Sequence, residues 1–258
     1  MHTIKLLFAL LLLSTVAQAQ KTAVKPKPTK ALAVDEILDK YYEATGGRSR
    51  WDSLQNVRMN GTVMVQGMEI PVSIVQTKAG QQKVSIKFQG QETTQMAFDG
   101  QTGWSTNFMT QKPEKMNAEA NANTKQQVAD FPDVFLHYHD KGYVATLEGT
   151  EAIEGTEAIK IKLTKNPVKI DGQSQENAVY YFFDPESYLP VAMRNTALSG
   201  QTKGASVETL LDDYREVNGL LFPFTSTISY NGMPGETIQL ENIQTDVEVE
   251  PEIFVFPK

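Results

Sequence analysis

The sequence predicts a mainly β protein with a few α-helices, a half-open antiparallel sheet curving around one apolar interior. Three observations carry that expectation. From Val57 onward, apolar and polar residues alternate with period 2, the pattern of strands with one buried face. The alternating runs are separated by hairpin-type turns at Gln66-Gly67, Gln89-Gly90-Gln91 and Asn231-Gly232. The clearest helical period is confined to one short stretch, Ala33–Ala44.

The chain opens with Lys5, the apolar run Leu6–Leu13 and the small-x-small site Ala17-Gln18-Ala19. That run is short of the roughly 20 residues a membrane span needs, so residues 1–19 read as a secretory signal peptide. The expected product is exported and soluble in the periplasm. Residues 20–32, with Lys21, Lys25, Lys27, Lys30, Pro26 and Pro28, read as an extended polar tether.

In Ala33–Ala44, Val34, Ile37, Leu38, Tyr41 and Tyr42 share one helical face, and Gly46-Gly47 offers a left-handed stop. A helical turn anchored by Trp51 is expected around Ser49–Leu54. Val57, Met59, Gly61, Val63 and Val65 begin the sheet. Ile70, Val72 and Ile74 return, Val84, Ile86 and Phe88 form the next arm, and Met96 and Phe98 the one after. Asp99-Gly100 then turns the chain towards Trp104.

Met109–Tyr138 breaks this rhythm. Its first part is polar and Ala-rich; Val128, Phe131, Val134, Phe135 and Tyr138 then cluster at helical spacing around Pro132. Two readings stay open, a movable lid over a cavity and a helix packed permanently on the sheet. Strands resume near Gly142, Asn166–Asn177 reads as a polar loop, and Val179–Phe183 is apolar on both parities. That run enters a hairpin through Asp184-Pro185-Glu186-Ser187 and returns at Val191–Met193. Its two-sided apolarity predicts a central strand covered on both faces, one towards the cavity and one under a helix. The count is about ten or eleven strands in a single domain, 33–258.

Composition excludes several functions. A formal charge of −7 gives no basic surplus for nucleic acid. Cysteine is absent, so there is no disulfide, thiolate metal site or cysteine nucleophile. No nucleophile elbow, phosphate loop or zinc-protease helix occurs. His137 and His139 make at most a weak metal pair without a third ligand, so neither metal nor cofactor is expected. What remains is apolar surface rich in methionine and phenylalanine, which suits flexible apolar guests such as acyl chains.

Three motifs then resemble a known family. Met96-Ala97-Phe98-Asp99-Gly100-Gln101-Thr102-Gly103-Trp104 resembles the strand–D-G-x-x-x-W motif of the periplasmic outer-membrane lipoprotein carriers, the LolA/LolB-like family. Tyr181-Phe182-Phe183-Asp184-Pro185-Glu186-Ser187-Tyr188-Leu189-Pro190-Val191 resembles its D-P hairpin, and Ile253-Phe254-Val255-Phe256-Pro257 its closing strand. The Arg-Pro that these carriers place before the D-G turn is absent; the chain reads Lys78-Ala79-Gly80-Gln81-Gln82-Lys83 there. The resemblance implies an antiparallel unclosed half-barrel whose cavity takes lipid or lipoprotein acyl chains, passed between a membrane donor and acceptor. It also places Trp104 and Phe108 near the cavity and Met109–Tyr138 in the lid.

The expected ligand-binding residues are therefore Phe88, Met96, Phe98, Trp104, Phe108, Phe131, Phe135, Tyr181, Phe183 and Met193. The leading expectation is a non-enzymatic carrier or binder of lipid-like ligands. An envelope interaction module with a filled core is the alternative, and a lipid or glycan hydrolase the third.

Overall fold

The computed structural model describes residues 33–107 and 109–257, which lie in one compact unit. The expected leader (1–19) and tether (20–32) lie outside the described residues, as does Phe108.

Helix α1 (Val34–Ala44) buries Ile37, Leu38, Tyr41 and Tyr42, the face its period predicts. The Glu36 carboxylate accepts the Ala33 N–H at 3.0 Å, satisfying an amide that the helix itself leaves free. Gly46 then leaves at φ 109°, and a Cβ there would fall 2.0 Å from the Gly219 carbonyl oxygen. Only glycine fits this contact. The short α2 (Arg48–Ser53) buries Trp51, whose Nε1 donates to both oxygens of Thr45.

The strands are β1 (Asn56–Val65), β2 (Met68–Thr77), β3 (Gln82–Phe88), β4 (Gln91–Phe98), β5 (Gly103–Thr106) and β6 (Pro113–Lys115). Helix α3 (Ala118–Val128) follows, then β7 (Val144–Ile153), β8 (Thr156–Ile170), β9 (Gln173–Phe183), β10 (Pro190–Thr196), β11 (Ser206–Val217), β12 (Leu220–Tyr230) and β13 (Met233–Thr245). A 3₁₀ turn at Pro251–Phe254 ends the succession. All thirteen strands form one antiparallel sheet in the order β6-β5-β4-β3-β2-β1-β13-β12-β11-β10-β9-β8-β7.

The sheet is an unclosed half-barrel, and the contacts of α3 show how far it curls. Asn121 accepts the Gly103 N–H of β5, while Asn123 and Glu119 bond Lys169, Asp171 and Gly172 at the β8–β9 tip. β5 and β8 are ten strand steps apart, about 48 Å in a flat sheet. An 11-residue helix spans only about 16 Å. The sheet must bend until its two ends come within reach of one short helix.

Several expectations are corrected here. Among the described residues the strand count is thirteen rather than ten or eleven, partly because the short strands β5 and β6 at one end of the sheet carry little periodic signal. Asn166–Asn177 is not a loop but the two ends of β8 and β9, joined at Asp171-Gly172. It looks polar because this hairpin end runs beyond the apolar core. The residues around Pro132 form turns, and the helix lies earlier, at Ala118–Val128. The closing Phe254 belongs to the 3₁₀ turn instead of a strand. β9 is third from the β7 edge rather than central.

The core lies between the sheet and α1, α2 and the 131–143 segment. It joins Ile37, Tyr41, Tyr42 and Trp51 to Phe135, Tyr138, Ile161, Leu163, Phe183, Phe222 and Phe224. A smaller cluster of Ile153, Ala158, Phe182 and Ala192 packs separately.

Candidate ligand-binding face

Register divides the expected residues between the two faces of the sheet. In the β1–β4 wing, Met59, Ile74, Val84 and Met96 stand opposite one another in one row, each partly buried. The row above it holds Gly61, Val72, Ile86 and Thr93, and the next Val63 and Ile70, with Ile238 of β13 beside Val63. The row below holds Val57, Gln76, Gln82 and Phe98. Val57 and Met59 belong to the core under the helices, so these rows are the helix-side face. Gly61 sits where a Cβ would meet the Gln239 carbonyl oxygen at 2.1 Å, and the β1–β13 register slips by one residue beside it.

Phe98 is fully buried in its row, whereas Met96 keeps part of its surface free. Phe88 follows Ile86 on the same face at the hairpin tip, beside a 370 Å³ hollow shared with Thr93 and Gln111. Across the barrel, Met193, Tyr181 and Ile161 make another helix-side row over β10, β9 and β8. Phe183 is fully buried, 5.8 Å between centroids from Tyr41 and 5.9 Å from Phe135. Phe135 is buried and lies 4.7 Å from Tyr181, and Phe131 packs partly buried on the same cluster. Eight of the ten expected residues thus meet the helix-side face or its plug.

Trp104 does not. It pairs with Ala97, one residue out of phase with Phe98, and so lies on the opposite face. There its Nε1 donates to the Phe254 carbonyl at 3.0 Å and its ring meets Phe256 edge-on. The turn Asp99–Thr102 sets this parity by placing Gly103 opposite Phe98. For β9, Tyr181 and Phe183 face the helices, while Tyr180 and Phe182 point away. The away face is covered by cations rather than a helix: Arg194 lies 4.8 Å over Phe182 and Lys160 4.6 Å over Tyr180. Glu151 binds both cations and Glu208 binds Arg194, which holds them over the rings.

The expected lid divides in two. Phe135, Leu136 and Tyr138 are part of the core, at 1%, 3% and 5% exposure. By contrast α3 buries only Thr124 and Val128 and is fastened mainly by polar side chains.

One polar centre within the plug left no trace in the hydrophobic periodicity. Asp133 accepts the Tyr41 hydroxyl at 2.8 Å, the Tyr42 hydroxyl at 2.5 Å and the Phe135 N–H at 2.9 Å. Burial nevertheless holds its carboxyl above the ordinary range, outweighing the three donors. Burial also pushes both tyrosine hydroxyls far up, so they remain donors. Nearby, Asp130 accepts Tyr143 and Lys165 while the ammonium of Lys141 lies 3.9 Å away, its pKa lowered chiefly by burial. His137 and His139 face different carboxylates, Asp52 and Asp35. Among the described residues no group of three or more His, Asp or Glu is placed to hold a metal, and no helix is long and apolar enough to cross a membrane.

Among solved structures, the chain is similar to a LolA superfamily protein from Nitrosomonas europaea, with 14% identity and a TM-score of 0.53, over 88% of this chain and 99% of that one. The chain has a LolA-like fold. It is also similar to the domain of a proposed outer membrane lipoprotein-sorting protein from Vibrio parahaemolyticus, at 10% identity and a TM-score of 0.49, over 85% of this chain and 94% of that one. The first of these carries the fold assignment. No family model matches the sequence, and no curated protein matches it significantly.

Proposed function

We propose that this LolA-like chain is a non-enzymatic carrier or binder of lipid-like ligands, the acyl chains of lipids or lipoproteins, working in the periplasm. In this reading residues 33–258 form the binding domain, behind a cleaved leader and a flexible tether. The observation that carries it is the row Met59–Ile74–Val84–Met96, aliphatic across four strands yet only partly buried. The plug of α1, α2 and Phe135 packs chiefly on β7–β9, β12 and β13. The β1–β4 row lies at the side of that plug and keeps part of its apolar surface free. An acyl chain laid there loses water at about 0.8 kcal/mol per methylene, roughly 8 kcal/mol for ten. Against a bilayer the gain is near zero, so transfer to and from membranes runs close to balance.

The positions expected to line the site separate into two kinds of test. Met96→Asp puts a charge on the partly buried row and should abolish recovery of acyl-containing ligand, read by native mass spectrometry of protein purified from the periplasm. Its melting temperature should stay close to that of the parent. Phe183→Asp buries an unpaired charge at a fully buried site and should unfold the chain, at a cost above about 4 kcal/mol. Absence of any acyl-containing ligand from the parent protein would sink the carrier reading. The interaction-module alternative draws on the filled plug, and predicts a ligand-free protein that co-purifies with a protein partner.

A further inference from the structure

A large hollow among the described residues is not on the helix-side face. It is an open groove of about 940 Å³ on the opposite face of the β1–β4 wing, bounded by β13 and by Ile253 of the 3₁₀ turn. Its floor is a row of small polar side chains, Asn60 opposite Ser73 and Ser73 opposite Ser85. The next row is taller, with Arg58 and Lys83 flanking Val75. Short side chains between long ones make the depression. Its wall is fixed in place by Trp104, which clamps the Phe254 carbonyl one residue beyond Ile253.

Two features distinguish this groove from ordinary wet sheet surface. The side chains of Asn60, Ser73 and Ser85 make no hydrogen bond to any described residue, although Ser85 is 6% exposed. Their donors and acceptors are aimed into one volume and unused by the fold. The charge balance is also inverted. Arg58, Lys83 and Lys87 face Glu92 and Glu241, a local +1 on a chain of formal charge −7. Lys83 lies 3.3 Å from Glu92 and is offset by it. Arg58 has no ion pair among the described residues, and its one hydrogen bond there is a 3.5 Å contact to the Glu248 carbonyl. Among the described residues no aromatic side chain lines the groove, so recognition rests on charge and hydrogen bonds rather than ring stacking.

We propose that this outer groove is a binding site for a small anionic polyol, a sugar phosphate or sugar acid, with the anion on Arg58 and the hydroxyls on the Asn60–Ser73–Ser85 row. A guanidinium is the side chain best shaped for a phosphate or carboxylate fork. The volume lies within the range of small-molecule sites, roughly 300–1,000 Å³. The site is separate from the acyl-binding row because neighbouring residues of each strand point to opposite faces.

The test is titration of the full chain, followed by amide NMR and calorimetry, with glucose 1-phosphate, glucuronate, inorganic phosphate and glucose. At least one anionic sugar should bind more tightly than both glucose and inorganic phosphate, shifting amides of β1, β2 and β3. The tighter of the two anionic sugars identifies the anion as phosphate or carboxylate. Arg58→Gln should weaken that binding about ten- to a hundredfold, Arg58→Lys should recover part of it, and Ser85→Ala should weaken the sugar but not inorganic phosphate. Binding of glucose or of inorganic phosphate at least as tight as both anionic sugars, unchanged affinity in Arg58→Gln, or no shift in β1–β3 with any probe would each overturn the assignment.

Discussion

Asp133 shows what one residue adds to a fold that periodicity cannot see. Tyr41 and Tyr42 are legible as the apolar face of α1, but their hydroxyls need a buried acceptor, and it lies 91 residues on from Tyr42. Since burial raises the Asp133 carboxyl in the folded state, the native chain binds that proton more readily than the unfolded one. Its contribution to stability is therefore fully present below the ordinary aspartate range and lost as pH rises through the raised value. Asp133→Asn removes the titrating group while keeping an acceptor for one tyrosine. Urea unfolding between pH 4 and 8 should then show a flatter stability profile than the parent. Asp133→Ala leaves two buried hydroxyls without their acceptor and should cost about 2–4 kcal/mol in acid, and less as pH rises through the parent's raised value. An unchanged pH profile in Asp133→Asn would assign the slope to other groups. The opposite sign holds at Asp184, where the amides of Ser187 and Glu186 lower the carboxyl and stabilise the β9–β10 turn above the acid range. That turn was legible in Asp184-Pro185, because its bonds are local.

Helix α3 poses the corresponding question for an element. Its sequence is Ala-, Asn- and Gln-rich, too weakly apolar to announce a packed helix, and the structure explains why: its partners are backbone amides at the sheet ends. The aromatic run after it misled in the other direction. Phe131, Phe135 and Tyr138 have helical spacing, yet they belong to turns that wind across the core around Pro132 and Asp133. Elements held by exposed hydrogen bonds open locally before the core does. The double substitution Glu119→Ala with Asn123→Ala removes the bonds to Lys169, Asp171 and Gly172. Amide exchange in α3 should then accelerate at least about tenfold, equivalent to roughly 1.4 kcal/mol, while β1–β3 keep their protection. Equal acceleration across the sheet would instead make α3 part of the global cooperative unit and remove the basis for treating it as a cover.

For the whole molecule, alternation made the sheet legible but not its two surfaces. Val57, Met59 and Val63 announce a strand with one apolar face, and the register confirms that they share it. Which face Trp104 joins depends on the four-residue turn before it, and the outer groove depends on small residues lining up across three strands, Asn60, Ser73 and Ser85. Neither is visible within one strand. The two surfaces lead to a prediction about independence. A ligand that binds only the native state stabilises it by about 2.7 kcal/mol at a hundred times its Kd, and a domain of this size gains roughly 2–4 °C per kcal/mol. Palmitate at that excess should therefore raise the melting temperature of the parent by about 5–11 °C. Met96→Asp should lose the rise, because its charge stands in the helix-side row. Arg58→Gln should keep it, because the guanidinium faces the other way. Loss of the rise in both variants would mean that acyl binding reshapes the whole β1–β4 wing, and that its two faces act as one site.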